Sequence, residues 1–158
     1  MELTSDAVAA MEAIRVPETW SLADAVSLGG YATSTALTAG LPLAILIRHL
    51  GRTAYQAGLP GSAPIHDDWA MRKVRVVELF NRSSLLVRLE HEESGVGFAA
   101  KHGLPEHLYK AAGGAIPLNS PSGLVGVLAV SGLVEVTDHQ FCVDALSSFI
   151  AERDPTAP

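Results

Sequence analysis

Cysteine occurs once in this chain, at Cys142, so no disulfide framework or thiolate metal cluster can be assembled from it. That suits a reducing compartment, and the expected location is cytoplasmic. Basic residues are also scarce. Eleven Lys and Arg stand against 17 Asp and Glu, a net charge of -6, and they form no basic run. Phosphate backbones and anionic membrane surfaces both require concentrated positive charge, so neither nucleic acid nor a membrane is expected as a partner. Long apolar stretches are missing too. The longest, Leu41 to Ile47, is ended by Arg48 and His49, far short of a bilayer span. Met1 to Val16 lacks the basic start and continuous apolar stretch of a signal peptide. Neither an internal repeat nor a low-complexity segment is found.

What is present suits one folded domain. The chain has 158 residues, 48% of them apolar, enough to bury roughly 70% of the surface its unfolded form exposes. We expect a single domain over 1–153 and a disordered tail over 154–158.

Glu2 to Arg15 has helical composition. Ser21 with Asp24 reads as a helix start, because a serine oxygen can accept an early amide while the carboxylate complements the positive helix end. The helix Leu22 to Thr38 is made of small residues, which lets it lie close to a sheet, and Gly40 is placed to end it. Leu43 to His49 and Arg52 to Leu59 read as strands around a tight Leu50-Gly51 turn. Asp67-Asp68 opens a helix to Phe80, and Ser83 or Ser84 caps another ending near Glu93. Pro105 suits the first turn of a short helix stopped by Gly113-Gly114. Ala115 to Leu118 and Leu124 to Val130 follow as strands. The second is apolar on both faces, as a central strand should be. Thr137 with Gln140 reads as a capping box for a last helix through Ile150. Hairpins at both ends of a helical excursion predict an α+β domain with a mostly antiparallel sheet.

Residues that carry chemistry are sparse. No two histidines have the spacing that places both rings on one helix face, and no metal site is expected. His66-Asp67-Asp68 reads as a helix start, His91 as part of a solvated face, and Cys142 as core. The glycines form no phosphate loop, and Gly113-Gly114 has the reverse order of elements. Lys73 stands out, because it falls among Trp69, Val76, Val77 and Phe80 on one helical stripe, with Arg72 at its edge. A lysine there snorkels, pairs with a carboxylate, or faces an anion pocket. His139 falls on the apolar arc of the last helix, as a satisfied core histidine or a site residue.

Several segments occur in a recognisable order: Trp69 with Arg72-Lys73, Arg82-Ser83-Ser84, Gly113-Gly114-Ala115-Ile116-Pro117-Leu118, Gly126 to Gly132, and Asp138-His139. Together they resemble an uncharacterised UPF-type family in the superfamily of GlcG, the haem-binding protein HbpS and the PduO C-terminal domain, often called the haem-degrading domain. The resemblance runs from about Trp20 to Ile150. It implies a five-stranded, largely antiparallel, profilin-like sheet with helices on both faces, and self-assembly into symmetric homo-oligomers. Some relatives bind haem, and one member is connected with protein-targeting factors. No axial haem ligand transfers by position; His49 and His139 qualify only as histidines near predicted sheet edges. The candidate ligand-binding residues are Arg72, Lys73, Gly113, Gly114 and His139.

Three readings compete. The leading one is a homo-oligomer that binds a small organic anion or a tetrapyrrole such as haem. The second is a non-enzymatic interaction or assembly protein. The third is an enzyme, for which the residues assign no reaction.

Overall fold

The computed structural model describes residues 3–154. The helices are α1 (Ser5–Met11), α2 (Leu22–Thr38), α3 (Pro64–Phe80), α4 (Ser84–Ser94), α5 (Phe98–His102) and α6 (Glu135–Arg153). The strands are β1 (Ala44–His49), β2 (Arg52–Gly58), β3 (Ala115–Ser120) and β4 (Gly123–Ser131). They form one antiparallel sheet in the order β2-β1-β4-β3. Residues 155–158, most of the expected tail, lie outside the described residues. Asp154 itself caps α6, its N–H donating to the Ile150 carbonyl.

Local chemistry explains most boundaries. Ser21 and Asp24 make the reciprocal capping pair, with Ser21 N donating to Asp24 Oδ2 at 2.8 Å and Asp24 N to Ser21 Oγ at 3.3 Å. Leu50 (φ 47°) and Gly51 (φ 81°) supply the two left-handed positions of the β1–β2 turn. Ser83 caps α4 by accepting the Leu86 N–H at 3.0 Å. Helix α3 starts three residues before Asp67 because Pro64 suits a first helical position and His66 Nδ1 accepts the Ala63 N–H at 2.9 Å. Likewise α6 starts at Glu135, ahead of the Thr137 expected to cap it, and runs on to Arg153. The short helix near Pro105 is absent, and one turn of helix, α5, forms instead over Phe98–His102.

Strand alternation separates two cores. Ile45, Ile47, Ile116, Leu118, Leu128 and Val130 pack beneath α2 and α6. Leu46, Ala115, Val127 and Ala129 pack against Ala70, Val74 and Val77 of α3 on the other face. Gly29 explains the small-residue helix, since a Cβ there would fall inside the Tyr55 ring of β2. That ring also ties α2 down through Tyr55 Oη and Thr33 Oγ1, 2.6 Å apart. Helices α1 and α4 meet over Val8, Leu85, Leu86 and Leu89.

Among the described residues the sheet has four strands, where the resemblance implies five. The edge strand β3 shows why. Ala115 N points out of the ladder and donates to Ser84 Oγ at 3.1 Å. Pro117, two residues on, turns the same way and has no N–H to offer a neighbour. The segment before α2 meets this edge through one backbone bond, Val16 N to Asn119 O at 2.9 Å.

Candidate functional site

A cleft of about 360 Å³ opens beside the start of α6, lined by Trp69, Lys73, Arg88, Lys110, Leu133, Glu135 and Asp138 among others. Its back wall is an ion pair. Lys73, only 2% exposed, places Nζ 3.2 Å from Asp138 Oδ2 and 3.3 Å from the Val130 carbonyl. Asp138 Oδ1 accepts the Leu133 N–H at 3.0 Å. Burial pushes the Asp138 carboxyl above its ordinary range, against the opposing pull of the Lys73 ammonium.

Gly114 makes this pair fit. Its φ is +131°, and a Cβ would stand 2.6 Å from both Lys73 Nζ and the Val130 carbonyl. Gly113 lies against the α6 backbone at Glu135, where a Cβ would collide with the Glu135 carbonyl. Its N–H donates to Glu135 Oε2 at 2.9 Å. Gly113-Gly114 is therefore the place where a loop passes between α3 and α6.

Nearer the mouth, Arg88 pairs with Glu135 at 2.8 Å and Glu92 at 2.7 Å. Its Nε–H is buried and has no acceptor among the described residues. Lys110 has no carboxylate partner among the described residues; its ammonium stands 5.7 Å from the centre of the half-exposed Trp69 ring. The cleft thus presents one ammonium without a carboxylate partner beside an indole face, while the spare Arg88 N–H is closed off from solvent.

The candidates from sequence divide. Lys73, Gly113 and Gly114 come together at the back of this cleft. Arg72 does not join them: it pairs with Asp68 at 2.6 Å and donates to the Glu106 carbonyl at 3.2 Å, in the neighbouring groove. His139 is sealed in the core, 1% exposed. Its Nε2 stands 3.5 Å from Glu12 Oε2, and neither ring nitrogen has a hydrogen bond among the described residues. Burial lowers this imidazole to about 4, so it is neutral near pH 7. Burial also raises the Glu12 carboxyl, with Ser83 hydrogen bonds opposing. Cys142 is core as expected, and burial pushes its thiol up. Trp69 leaves the predicted buried stripe and stands at the cleft rim, while Val76 and Val77 stay inside.

Sequence reasoning missed Arg88, Lys110 and Glu135, which come from three separate elements or loops. Asp138 had a signal, as an acidic residue in the first turn of an apolar helix. His91, expected on a solvated face, packs against Phe80, Phe98 and His102.

The sequence profile described as "Haem degrading protein HbpS-like" matches residues 20–147. The chain belongs to the HbpS-like family. A UPF0303 protein of Paraburkholderia phymatum is 39% identical over 153 residues, covering 95% of this chain and 93% of that one. Among solved structures, the Ybr137w protein superposes with a TM-score of 0.85 at 24% identity, over 97% of this chain and 91% of its own. A PduOC:heme complex superposes with a TM-score of 0.68 at 15% identity, over 84% of this chain and 95% of its own. These structural likenesses carry the fold, an α+β antiparallel sheet with helices on both faces. The resemblance read from the ordered segments of the sequence is the family found.

Haem does not fit this HbpS-like cleft as an axially ligated group. Among its lining residues there is no His, Cys, Met or Tyr, and His139 lies outside it with a closed ring. No helix among the described residues is long and apolar enough to cross a membrane.

Proposed function

We propose that this HbpS-like protein is a homo-oligomer that binds a small organic anion in the cleft between α3, α4 and the start of α6. The observation that carries this reading is the Lys110 ammonium, without a carboxylate partner among the described residues, beside the exposed Trp69 ring. A carboxylate answers the Lys110 ammonium, and an apolar or planar body answers the indole and the Leu133 and Ala112 side chains. Lys73 is not the first contact, because Asp138 already neutralises it; it sets the shape and field of the back wall. Relatives that include a haem complex support small-molecule binding in this fold, but the lining here favours an anion without a ligated iron.

Thermal unfolding with a panel of carboxylic acids tests the reading. A ligand at about 100 times its Kd stabilises by about 2.7 kcal/mol, which raises the Tm of a chain this size by several degrees. Lys110→Ala should abolish that rise while leaving the ligand-free Tm unchanged. A panel with no stabilising acid, or a rise that survives Lys110→Ala, overturns it.

A second reading has its own support. Val134 and Val136 stand exposed beside the cleft mouth with Trp69, an apolar rim suited to a protein partner. Under that reading the same rim is a binding surface, and no small acid stabilises the protein.

A further inference from the structure

Three residues along α4 from Arg88, two histidines that are eleven residues apart in sequence meet: His91 Nε2 and His102 Nε2 are 2.8 Å apart. We propose that His91 and His102 form a two-imidazole site for a divalent transition-metal ion, with Cu2+ the best match.

Four observations carry this. The His91 Nδ1 stands 2.6 Å from the Val87 carbonyl, an acceptor, so Nδ1 holds the proton and Nε2 keeps its lone pair. A ring nitrogen fixed by a backbone carbonyl is the usual support for a metal-ligating imidazole. The separation suits a square geometry: two nitrogens about 2.0 Å from a metal and at right angles stand about 2.8 Å apart, whereas tetrahedral ligation needs about 3.3 Å. Imidazole pairs in square arrangements favour Cu2+ or Ni2+, and Cu2+ heads the affinity order. Third, Phe80 and Phe98 pack around both rings, with centroids 4.9 Å from Phe80 to His102 and 5.5 Å from His91 to Phe98. These rings limit water and hold the pair together. Fourth, His91 lies in the last turn of α4, whose negative end favours a cation.

Without metal, the Nε2 proton of His102 bridges to His91; on binding, that proton moves to His102 Nδ1, and both Nε2 lone pairs face the ion. The hollow beside His91, about 200 Å³, is lined by Glu90, Ser94 and Lys101 and leaves room for water as the remaining ligands. The Lys101 ammonium opposes the ion, so Lys101→Ala should tighten binding.

The test uses Cu2+ alone, titrated into the purified full chain by calorimetry, with electron paramagnetic resonance of the loaded protein. The expected result is one saturable Cu2+ per chain, with hyperfine structure from two imidazole nitrogens. His102→Ala and His102→Phe, the second preserving the aromatic packing, should each weaken binding at least tenfold and leave one nitrogen at most. No saturable site in the wild type overturns the proposal. So does a site whose affinity falls less than tenfold in His102→Phe, or whose spectrum is unchanged, since the two rings would then be only hydrogen-bonded packing.

Discussion

Lys73→Met should cost about 3–4 kcal/mol near pH 7, and the cost should shrink as the pH falls. The substitution keeps the length and packing of the side chain but removes the ammonium from an ion pair whose side chains are 3% and 2% exposed. Breaking a buried pair from one side leaves an uncompensated charge and typically costs about 3–5 kcal/mol. The carboxylate has an escape, which is to take up a proton. Asp138 titrates from an ordinary value of 3.8, so at about 1.36 kcal/mol per pH unit, neutralising it near pH 7 costs about 4 kcal/mol. That figure is the ceiling, and near pH 5 it falls below about 2 kcal/mol. The sign follows from linkage. A carboxyl whose folded pKa is raised binds its proton more tightly in the folded state. The variant therefore keeps most of its stability below pH 3.8 and loses it as the pH rises towards the folded pKa. Urea unfolding of wild type and variant at several values from pH 5 to pH 8 measures this directly. Adding Asp138→Asn should recover at least half of the loss, because the amide still accepts the Leu133 N–H. A loss under about 1 kcal/mol near pH 7, or one that does not change with pH, would refute the reasoning.

Gly114→Ala should destabilise by at least about 1–3 kcal/mol from its backbone conformation alone, and by more because the methyl displaces Lys73 Nζ; chemical denaturation reads this. The buried His139, lowered from 6.5 to about 4, contributes stability that is present above pH 6.5 and lost as the pH falls through that window, up to roughly 3 kcal/mol. His139→Leu should therefore flatten the stability profile between pH 6.5 and pH 4, as thermal scans across that range will show. Hemin titration followed in the Soret region should give weak, non-stoichiometric binding; a saturable band at one haem per chain would overturn the reading of the cleft. Light scattering across a dilution series should show a homo-oligomer at micromolar concentration, and a clean monomer throughout would refute that.

Much of the fold was legible because local rules govern it. The Ser21-Asp24 pair, the Leu50-Gly51 turn and the two-faced apolar pattern of β4 each specify their structure within a few residues. The misreadings have physical causes. Pro105 suits a helix start, but the Glu106 and Leu108 carbonyls accept from Arg72 and Arg75 of α3 and the Lys110 N–H donates to the Arg72 carbonyl, so the backbone bonds to α3 instead of propagating a helix. The fifth strand came from the resemblance, and Pro117 in the edge strand weakens that edge as a template. The site was legible in part. Lys73 was singled out because a cation on an apolar stripe demands an account, and Asp138 supplies it from 65 residues away. Arg88 and Lys110 carried no such signal: charged residues on a helix flank and in a loop are ordinary until the chain brings them to one rim. The meeting of His91 and His102 depends on a loop that no periodicity describes.

Pro117 has one more consequence. The sheet has two ends, and they are not equivalent. The β3 end is closed to a neighbour by an imide nitrogen, by Ser84 and by the crossing strap at Val16. The β2 end, mostly exposed or half-exposed, carries its free backbone groups outward. If two copies join their sheets, the joint can only run β2 to β2 about a twofold axis. The outer rims of the resulting eight-stranded unit are then both β3, and neither accepts another chain. Growth by strand addition stops after one step, so the architecture itself guards against open-ended fibres, and any larger assembly has to be built through helical surfaces.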